Sequence, residues 1–170
     1  STDSYNVAVG YDAGNDITTG IRNVIIGGLA GDALTDADFN VAAGYGALSS
    51  DTLGERNVAI GANALTTQNF STSTQSYNVA VGYDAGFSVT FGVQNTLIGG
   101  LAGDALTEGA RNVAVGTSAL SADTQGARNT AIGYSALGTQ NFTTANQSYN
   151  VAVGYNAGGA VTTGTENTLV

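Results

Sequence analysis

The strongest constraint in this sequence is a five-residue pattern that recurs from one end of the chain to the other. It has the form Asn-(Val/Thr)-(small or aliphatic)-(aliphatic)-Gly, as in Asn78-Val79-Ala80-Val81-Gly82. The pattern begins at Asn6, Asn23, Asn40, Asn57, Asn78, Asn95, Asn112, Asn129, Asn150 and Asn167. Each asparagine at position i is followed by the next at i + 17, except Asn57 and Asn129, which are followed at i + 21. A fixed period of this kind predicts a stack of coils in which each coil contacts only its neighbours.

The coils combine into a longer repeat with a period of 72, made of three short coils and one long coil. Two complete super-repeats span 5–76 and 77–148, and a partial third copy spans 149–170. We therefore interpret residues 1–170 as a single repeat array. We also expect the array to be a segment of a longer fibre protein, because a coil cut at Val170 would leave a sheet edge uncovered.

Each pentad predicts a short β-strand. Val7 and Val9 alternate with Ala8, which is the period-two pattern of a half-buried strand. Stacked in register, such strands form an all-β parallel solenoid in which position i pairs with i + 17 or i + 21. The glycine after each strand, such as Gly10, predicts a corner at positive φ. The asparagine column predicts a ladder of amide hydrogen bonds at the opposite corner.

A paired substitution pattern predicts a narrow core. Wherever a coil has a glycine at the position of Gly14, an aliphatic residue follows at the position of Ile17. Where leucine replaces the glycine, the later residue is polar, as in Leu48 with Asp51. All nine complete coils follow this rule, and close packing would enforce it by admitting one large aliphatic group per coil. We therefore expect Leu48 and Leu120 to be buried, with Asp51 and Asp123 in solvent.

The middle residue of the strand suggests a surface for self-association. It is alanine in most coils and is larger only at Ile25, Leu97 and Leu169, which recur once in each super-repeat. We expect this position to face outward and to pack against identical chains around a three-fold axis. The alternative is an ordinary exposed alanine surface.

All four arginines lie in the column that precedes the asparagines. This column contains Tyr5, Arg22, Phe39, Arg56, Tyr77, Gln94, Arg111, Arg128, Tyr149 and Glu166. Coils stacked about 4.8 Å apart would place guanidinium groups against aromatic rings. We predict a structural stacking ladder with cation–π contacts of roughly 0.5–2 kcal/mol each. The functional alternative is an aromatic stripe that binds sugars.

Composition argues against most chemistry. The chain has no histidine, lysine or cysteine, so the usual imidazole bases, Schiff-base lysines and thiolate ligands are missing. We predict no enzyme activity, no cofactor and no metal site; a hexapeptide-repeat acyltransferase would need a catalytic histidine. A net charge of −9 disfavours nucleic acid and anionic membranes as partners. No apolar run reaches the roughly 18 residues of a membrane span.

Three polar patterns give weaker signals. Aspartates such as Asp32 and Asp104 share columns, which we interpret as a solvated acidic surface rather than a calcium site. A threonine column containing Thr18 and Thr35 predicts hydroxyl hydrogen bonds along a corner. Ice binding is a remote alternative, since a second threonine rank is missing. The triplets that begin at Asn69, Asn141 and Asn146 match the acceptor pattern for N-glycosylation.

Two motifs carry a resemblance that covers the whole chain. Asn-Val-Ala-Ile-Gly at 57–61 and Asn-Thr-Ala-Ile-Gly at 129–133 resemble the head repeats of trimeric autotransporter adhesins. The longer pattern at 6–20 resembles tail-fibre-type repeats of phages and related secreted fibre proteins. The adhesin heads use a shorter coil than this chain. The resemblance implies a left-handed parallel β-roll that assembles as a homotrimer in a surface or tail appendage.

We therefore expect a structural shaft segment of an extracellular, cell-surface or virion fibre that associates with copies of itself into a trimer or an end-to-end filament. The alternative is a carbohydrate- or surface-binding adhesive module that contacts cell-surface glycans through its loops. An ice-binding solenoid is a more remote alternative. Glycan-array binding by the isolated segment would separate the first two functions, because a pure shaft should bind no glycan.

Overall fold

The computed structural model describes residues 4–170 as an all-β solenoid, and no helix occurs within that range. Ten strands form one continuous sheet, and four shorter strands form two additional pairs. In chain order the strands are β1 (Val7–Val9), β2 (Val24–Ile26), β3 (Val41–Ala43), β4 (Gly54–Glu55), β5 (Val58–Ile60), β6 (Thr74–Gln75), β7 (Val79–Val81), β8 (Thr96–Ile98), β9 (Val113–Val115), β10 (Gly126–Ala127), β11 (Thr130–Ile132), β12 (Asn146–Gln147), β13 (Val151–Val153) and β14 (Thr168–Leu169). The predicted fold class, a parallel β-solenoid, is confirmed.

The register of the main sheet also follows the prediction. Val7 pairs with Val24, its equivalent one short coil later. Val58 pairs with Val79, its equivalent on the far side of a long coil. The extra residues of each long coil form a loop on the side, where β6 pairs with β4 and β12 pairs with β10. The main sheet therefore continues without interruption past both inserted loops.

The predicted asparagine ladder runs along one corner of the coil. The backbone N–H of Asn40 donates to Oδ1 of Asn23 at 2.9 Å, and the same bond recurs from each coil to the one before it. The side-chain Nδ2 of Asn23 donates to the carbonyl oxygen of Ala37 at 2.8 Å within its own coil. Asn23 and Asn40 are completely buried. The ladder thus provides hydrogen-bond partners for both the backbone and the side-chain polar groups of the buried asparagines.

Glycine is required at the opposite corner for two reasons. Gly27 has a φ of 132°, which side chains rarely tolerate, and a Cβ there would lie 2.5 Å from the carbonyl oxygen of Gly44 in the next coil. The same arrangement recurs after the other central strands of the main sheet. The prediction of positive φ at this corner is confirmed, and the cause is the close approach of stacked backbones.

The orientation of the strands is opposite to the sequence-based expectation. Ile25 and Leu97 are 0 % exposed, and Leu169 is partly buried against the same core. The middle position of each strand therefore points into the coil, so the prediction that these residues form an outer self-association face is wrong. The physical reason is the narrow interior. It accommodates only alanine at this position in most coils, such as Ala42, while the larger valines and isoleucines point outward.

Glycines in neighbouring coils explain why Ile25 and Leu97 fit inside. A Cβ added to Gly14 would lie 3.0 Å from Cδ1 of Ile25, and one added to Gly31 would lie 3.2 Å from it. Gly86 and Gly103 stand in the same relation to Leu97. The large residue fills the space that two adjacent coils leave empty. We call 5–38 and 77–110 the aliphatic coil pairs.

The coil pair that follows each aliphatic coil pair is packed differently. In 39–76 and 111–148, which we call the polar coil pairs, Leu48 and Leu120 are buried as predicted. Asp51 and Asp123 are also 0 % exposed, so the prediction that they face solvent is wrong. Their carboxylates lie inside because backbone and glutamine N–H groups donate to them. Buried carboxylates are tolerated when such donors surround them.

Candidate functional site

The most prominent surface of the molecule is the outer side of the main sheet. Two parallel ranks of side chains from the first and third strand positions cover it. The ranks are Val7, Val24, Val41, Val58, Val79, Thr96, Val113, Thr130, Val151 and Thr168, and Val9, Ile26, Ala43, Ile60, Val81, Ile98, Val115, Ile132 and Val153. We call this surface the outer sheet face.

The outer sheet face is apolar although it lies in water. Ile26 is 45 % exposed, Ile60 40 % and Ile98 38 %, and every other member is exposed or half-buried. Neither rank contains a charged residue. Contiguous exposed apolar surface of this kind is characteristic of an interaction site. Period-two alternation located this surface in the sequence but assigned it to the wrong side of the strand.

The predicted stacking ladder borders one side of this face. The guanidinium carbon of Arg56 lies 5.1 Å from the ring centre of Phe39 and 5.7 Å from that of Tyr77. Arg22 also lies over Phe39, at 5.2 Å. Further along, the guanidinium of Arg128 lies 5.4 Å from the ring centre of Tyr149 and donates to its hydroxyl. The cation–π prediction is confirmed at these four contacts, and the ladder engages these cations within the chain.

Between Tyr77 and Arg128 the ladder continues through a hydrogen bond. Arg111 donates from Nε to Oε1 of Gln94 at 2.9 Å. All ten residues of this column have a φ between 51° and 64°, including Tyr5 and Glu166. A left-handed conformation costs ordinary residues free energy, and the cation–π contacts and the Arg111–Gln94 bond help to offset that cost where they occur.

A rank of tyrosines borders the other side of the outer sheet face. Its members follow the corner glycines and are Tyr11, Tyr45, Tyr83, Tyr134 and Tyr155, between 53 % and 81 % exposed. Tyr134 and Tyr155 stack with ring centres 5.4 Å apart and planes at 9°. Hydrogen bonds to the carboxylates of Asp12 and Asp84 raise the pKa of Tyr11 and Tyr83. The sequence signal for this rank is tyrosine directly after the glycine in five coils.

A buried polar network lies inside each polar coil pair. In the first, Nε2 of Gln68 donates to Oδ2 of Asp51 at 2.5 Å, and the N–H groups of Gly54 and Phe70 donate to Oδ1 at 3.1 and 3.0 Å. Nδ2 of Asn78 in turn donates to Oε1 of Gln68 at 2.8 Å, which joins the network to the asparagine ladder. Burial raises the pKa of Asp51, opposed by these donors. The network joins the two coils of the pair in the interior.

The acidic columns offer no constellation of metal ligands. Oδ1 of Asp32 and Oδ1 of Asp104 are both buried without a hydrogen-bond partner. Burial raises the pKa of both carboxyls, with the charges of Asp16 and Asp12 adding to the effect at Asp32 and that of Asp84 at Asp104. Across residues 4–170, no group of three or more acidic side chains is placed to hold a metal ion.

The threonine column forms the predicted corner ladder. Oγ1 of Thr18 donates to the carbonyl oxygen of Thr35 at 3.2 Å, and Thr35 donates to that of Thr52 at 3.1 Å.

In the inserted loops the candidate glycan acceptors Asn69 and Asn141 are exposed. Asn146 differs because it lies half-buried in β12, and the serine of its triplet, Ser148, is buried and donates to Oδ1 of Asn129. Glycosylation at all three positions stays a prediction.

Two further observations limit the kinds of site that the chain offers. None of the residues that the structure describes belongs to a helix able to cross a membrane, and these residues enclose no pocket. Comparisons with family models, with curated proteins and with solved structures found no match. The outer sheet face is the apolar surface that extends along all ten strands of the main sheet.

Proposed function

We propose that this chain is a rigid structural shaft segment of an extracellular or virion appendage, and that copies of it associate side by side. The observation that carries the proposal is the outer sheet face, on which two ranks of valine, isoleucine and threonine lie in water along ten strands. Ile98 and Ile132, for example, are each 38 % exposed in the isolated chain. Packing this face against another copy would remove a long apolar surface from water.

The interior supports a shaft rather than a site of chemistry. Asparagine bonds, threonine bonds and the parallel sheet connect each coil to the next through almost the whole described chain. Such repeated nearest-neighbour contacts make a stiff, extended particle. A shaft that repels its own kind through a charge of −9 needs a specific apolar contact to associate. The outer sheet face is the uncharged surface able to provide it.

The test is the state of association in solution. Sedimentation of the chain should reveal an oligomer, and Ile60→Glu combined with Ile98→Glu should dissociate it, because both changes place charge in the proposed contact. The single variant Thr72→Glu is the control, since Thr72 is exposed in the inserted loop. It should leave the oligomer intact. A wild-type chain that remains a folded monomer at micromolar concentration would refute the proposal.

The tyrosine rank favours a second candidate function, a surface-binding adhesive module. Tyr11 and Tyr155 expose 77 % and 81 % of their surface. Tyrosine supplies a rigid apolar ring and a polar hydroxyl, which is a frequent combination in recognition surfaces. Binding of cell-surface glycans on an array, lost when Tyr11 and Tyr45 are both replaced by serine, would support this function. If no glycan binds, the adhesive function is refuted and only the shaft function remains.

A further inference from the structure

An exposed aromatic patch distinguishes the first inserted loop. The rings of Phe70 and Phe91 meet edge to face, with centres 6.2 Å apart and planes at 68°. Phe70 is 6 % exposed, whereas Phe91 is 57 % exposed and Phe87, in the same coil, is 37 % exposed. Two phenylalanine rings thus remain in water beside the loop, where they are not needed to cover the core.

The second inserted loop lacks this patch. Its equivalent of Phe70 is Phe142, which is buried to the same degree. The equivalents of Phe87 and Phe91 in the next super-repeat are Gly159 and Thr163. Both loops fold in the same way, so the coil does not require the exposed rings.

Acidic residues occupy the equivalent positions of the following coil. The backbone N–H of Phe91 donates to the carbonyl oxygen of Thr107, the residue before Glu108, at 3.3 Å. The N–H of the residue after Phe87 donates to the carbonyl oxygen of Asp104 at 2.9 Å. Each exposed ring therefore lies one coil away from an acidic residue.

The carboxylate of Glu108 lacks the hydrogen-bond partner that its counterpart has. In the first aliphatic coil pair, Oγ1 of Thr19 donates to Oδ1 of Asp36 at 2.6 Å. Phe91 takes the place of Thr19 and Glu108 that of Asp36, so the hydroxyl donor is gone. No side chain in the described part of the molecule bonds to the carboxylate of Glu108. Oδ1 of Asp104 is buried without a hydrogen-bond partner, as is Oδ1 of its counterpart Asp32.

We propose that Phe87, Phe91, Asp104 and Glu108 form a binding surface for a basic peptide segment, with arginine as the preferred residue. A guanidinium group stacks on an aromatic ring and pairs with a carboxylate at the same time. The surface offers both halves of that contact, and its negative charge complements a cationic partner. Three of the four arginines of this chain stack on Phe39, Tyr77 or Tyr149, and the fourth donates to an amide side chain in the same ladder, so the proposed partner is a different protein.

The probe is a synthetic peptide of four arginines separated by glycines, with a citrulline peptide as its uncharged counterpart. Calorimetry at physiological ionic strength should detect binding of the arginine peptide alone. Phe91→Thr introduces the residue that the chain uses at Thr19 and Thr163 and leaves the net charge unchanged. It should weaken binding by about threefold to thirtyfold, as expected for a lost cation–π contact. Glu108→Gln should also weaken it.

A gain-of-function variant completes the test. Asn15→Phe with Thr19→Phe rebuilds the rings beside Asp32 and Asp36 in the first aliphatic coil pair. The number of bound peptides per chain should rise from one to two. Equal affinity of the wild type and Phe91→Thr, with matching circular dichroism, would show general charge attraction and overturn the proposal. Failure of the arginine peptide to bind the wild type would also overturn it, whatever the oligomeric state of the shaft.

Discussion

The aliphatic and the polar coil pairs fill the same narrow interior in different ways. In 77–110 the interior contains Leu97, Val89 and Leu106, all completely buried. In 39–76 two leucines, Leu48 and Leu65, occupy the space of the glycines, and an aspartate–glutamine contact replaces the two aliphatic groups. The comparison teaches that volume decides what enters this core, and that polar atoms enter when each donor meets an acceptor.

The difference also explains where the long coils occur. Asp51 accepts the backbone N–H of Phe70 at 3.0 Å, and Asp123 accepts that of Phe142 at 2.9 Å. Each phenylalanine begins its inserted loop. The buried carboxylate therefore anchors the point at which the chain leaves the regular coil. The aliphatic coil pairs, which have no insertion, need no such anchor.

The largest expected effect is the loss of a core residue in an aliphatic coil pair. Leu97→Ala should lower the free energy of unfolding by about 3–5 kcal/mol, because Gly86 and Gly103 leave nothing else to fill the space. Thr117→Ala, at an exposed residue outside the outer sheet face, should cost about 1 kcal/mol or less. Urea denaturation measures both. Similar costs for the two variants would contradict the inward orientation of Leu97.

In a polar coil pair the corresponding substitution removes a hydrogen-bond acceptor rather than an aliphatic group. Asp51→Ala should cost about 2–4 kcal/mol, because Nε2 of Gln68 and two backbone N–H groups lose their acceptor in a buried site. The double variant Asp51→Ala with Gln68→Ala should cost less than the sum of the single variants. Additive costs in a double-mutant cycle would mean that the two side chains do not act as one unit.

The connection between the network and the asparagine ladder predicts a smaller difference. Nδ2 of Asn78 donates to Oε1 of Gln68 and to the carbonyl oxygen of Gly92, at 2.8 and 2.7 Å. Nδ2 of Asn95 donates to the carbonyl oxygen of Gly109 alone. Asn78→Ala should therefore be less stable than Asn95→Ala by about 1 kcal/mol. Identical denaturation midpoints would show that the ladder gains nothing from the network.

The smallest effect concerns pH. Burial raises the pKa of Asp51 above its unfolded value, so the folded state takes up a proton at a higher pH than the unfolded state does. Stability should rise as the pH falls from neutral through the folded pKa, and the gain should be complete below the unfolded pKa. The raised pKa values of Asp32 and Asp104 act in the same direction. The denaturation midpoint should increase in mild acid, and Asp51→Asn should reduce that increase. A midpoint that falls steadily with acid would contradict this prediction.

Periodicity predicted everything that depends on spacing. Strand pairing between equivalent positions of successive coils, the asparagine ladder and the burial of Leu48 follow from residues that recur at fixed intervals. Alternation could not decide which side of the strand faces inward, because Val-Ala-Val has the same period in both orientations. The useful signal was available, since Ile25 and Leu97 occur only in coils that contain the glycine of the slot pattern.

The sequence patterns also failed to predict which polar residues are buried. Asp51 was expected in solvent because isolated carboxylates are rarely buried. Its partner, Gln68, stands at the same position of the next coil, and the two residues recur together at Asp123 and Gln140. Co-occurrence of a donor and an acceptor in adjacent coils predicts a contact, whereas each residue taken alone predicts exposure. The patch of Phe87 and Phe91 was missed for the opposite reason, since it breaks the repeat.

The asparagine ladder also allows the number of coils to change without any change in the structure of each coil. Each rung joins one coil to the preceding one by the same bond, as from Asn112 to Asn95 at 2.9 Å, and no rung refers to a more distant coil. Duplication of one super-repeat would add four coils, about 19 Å, without altering any existing rung or core level. Unequal recombination within the gene for such a protein can therefore change the length of the solenoid by whole super-repeats, without any other change in sequence.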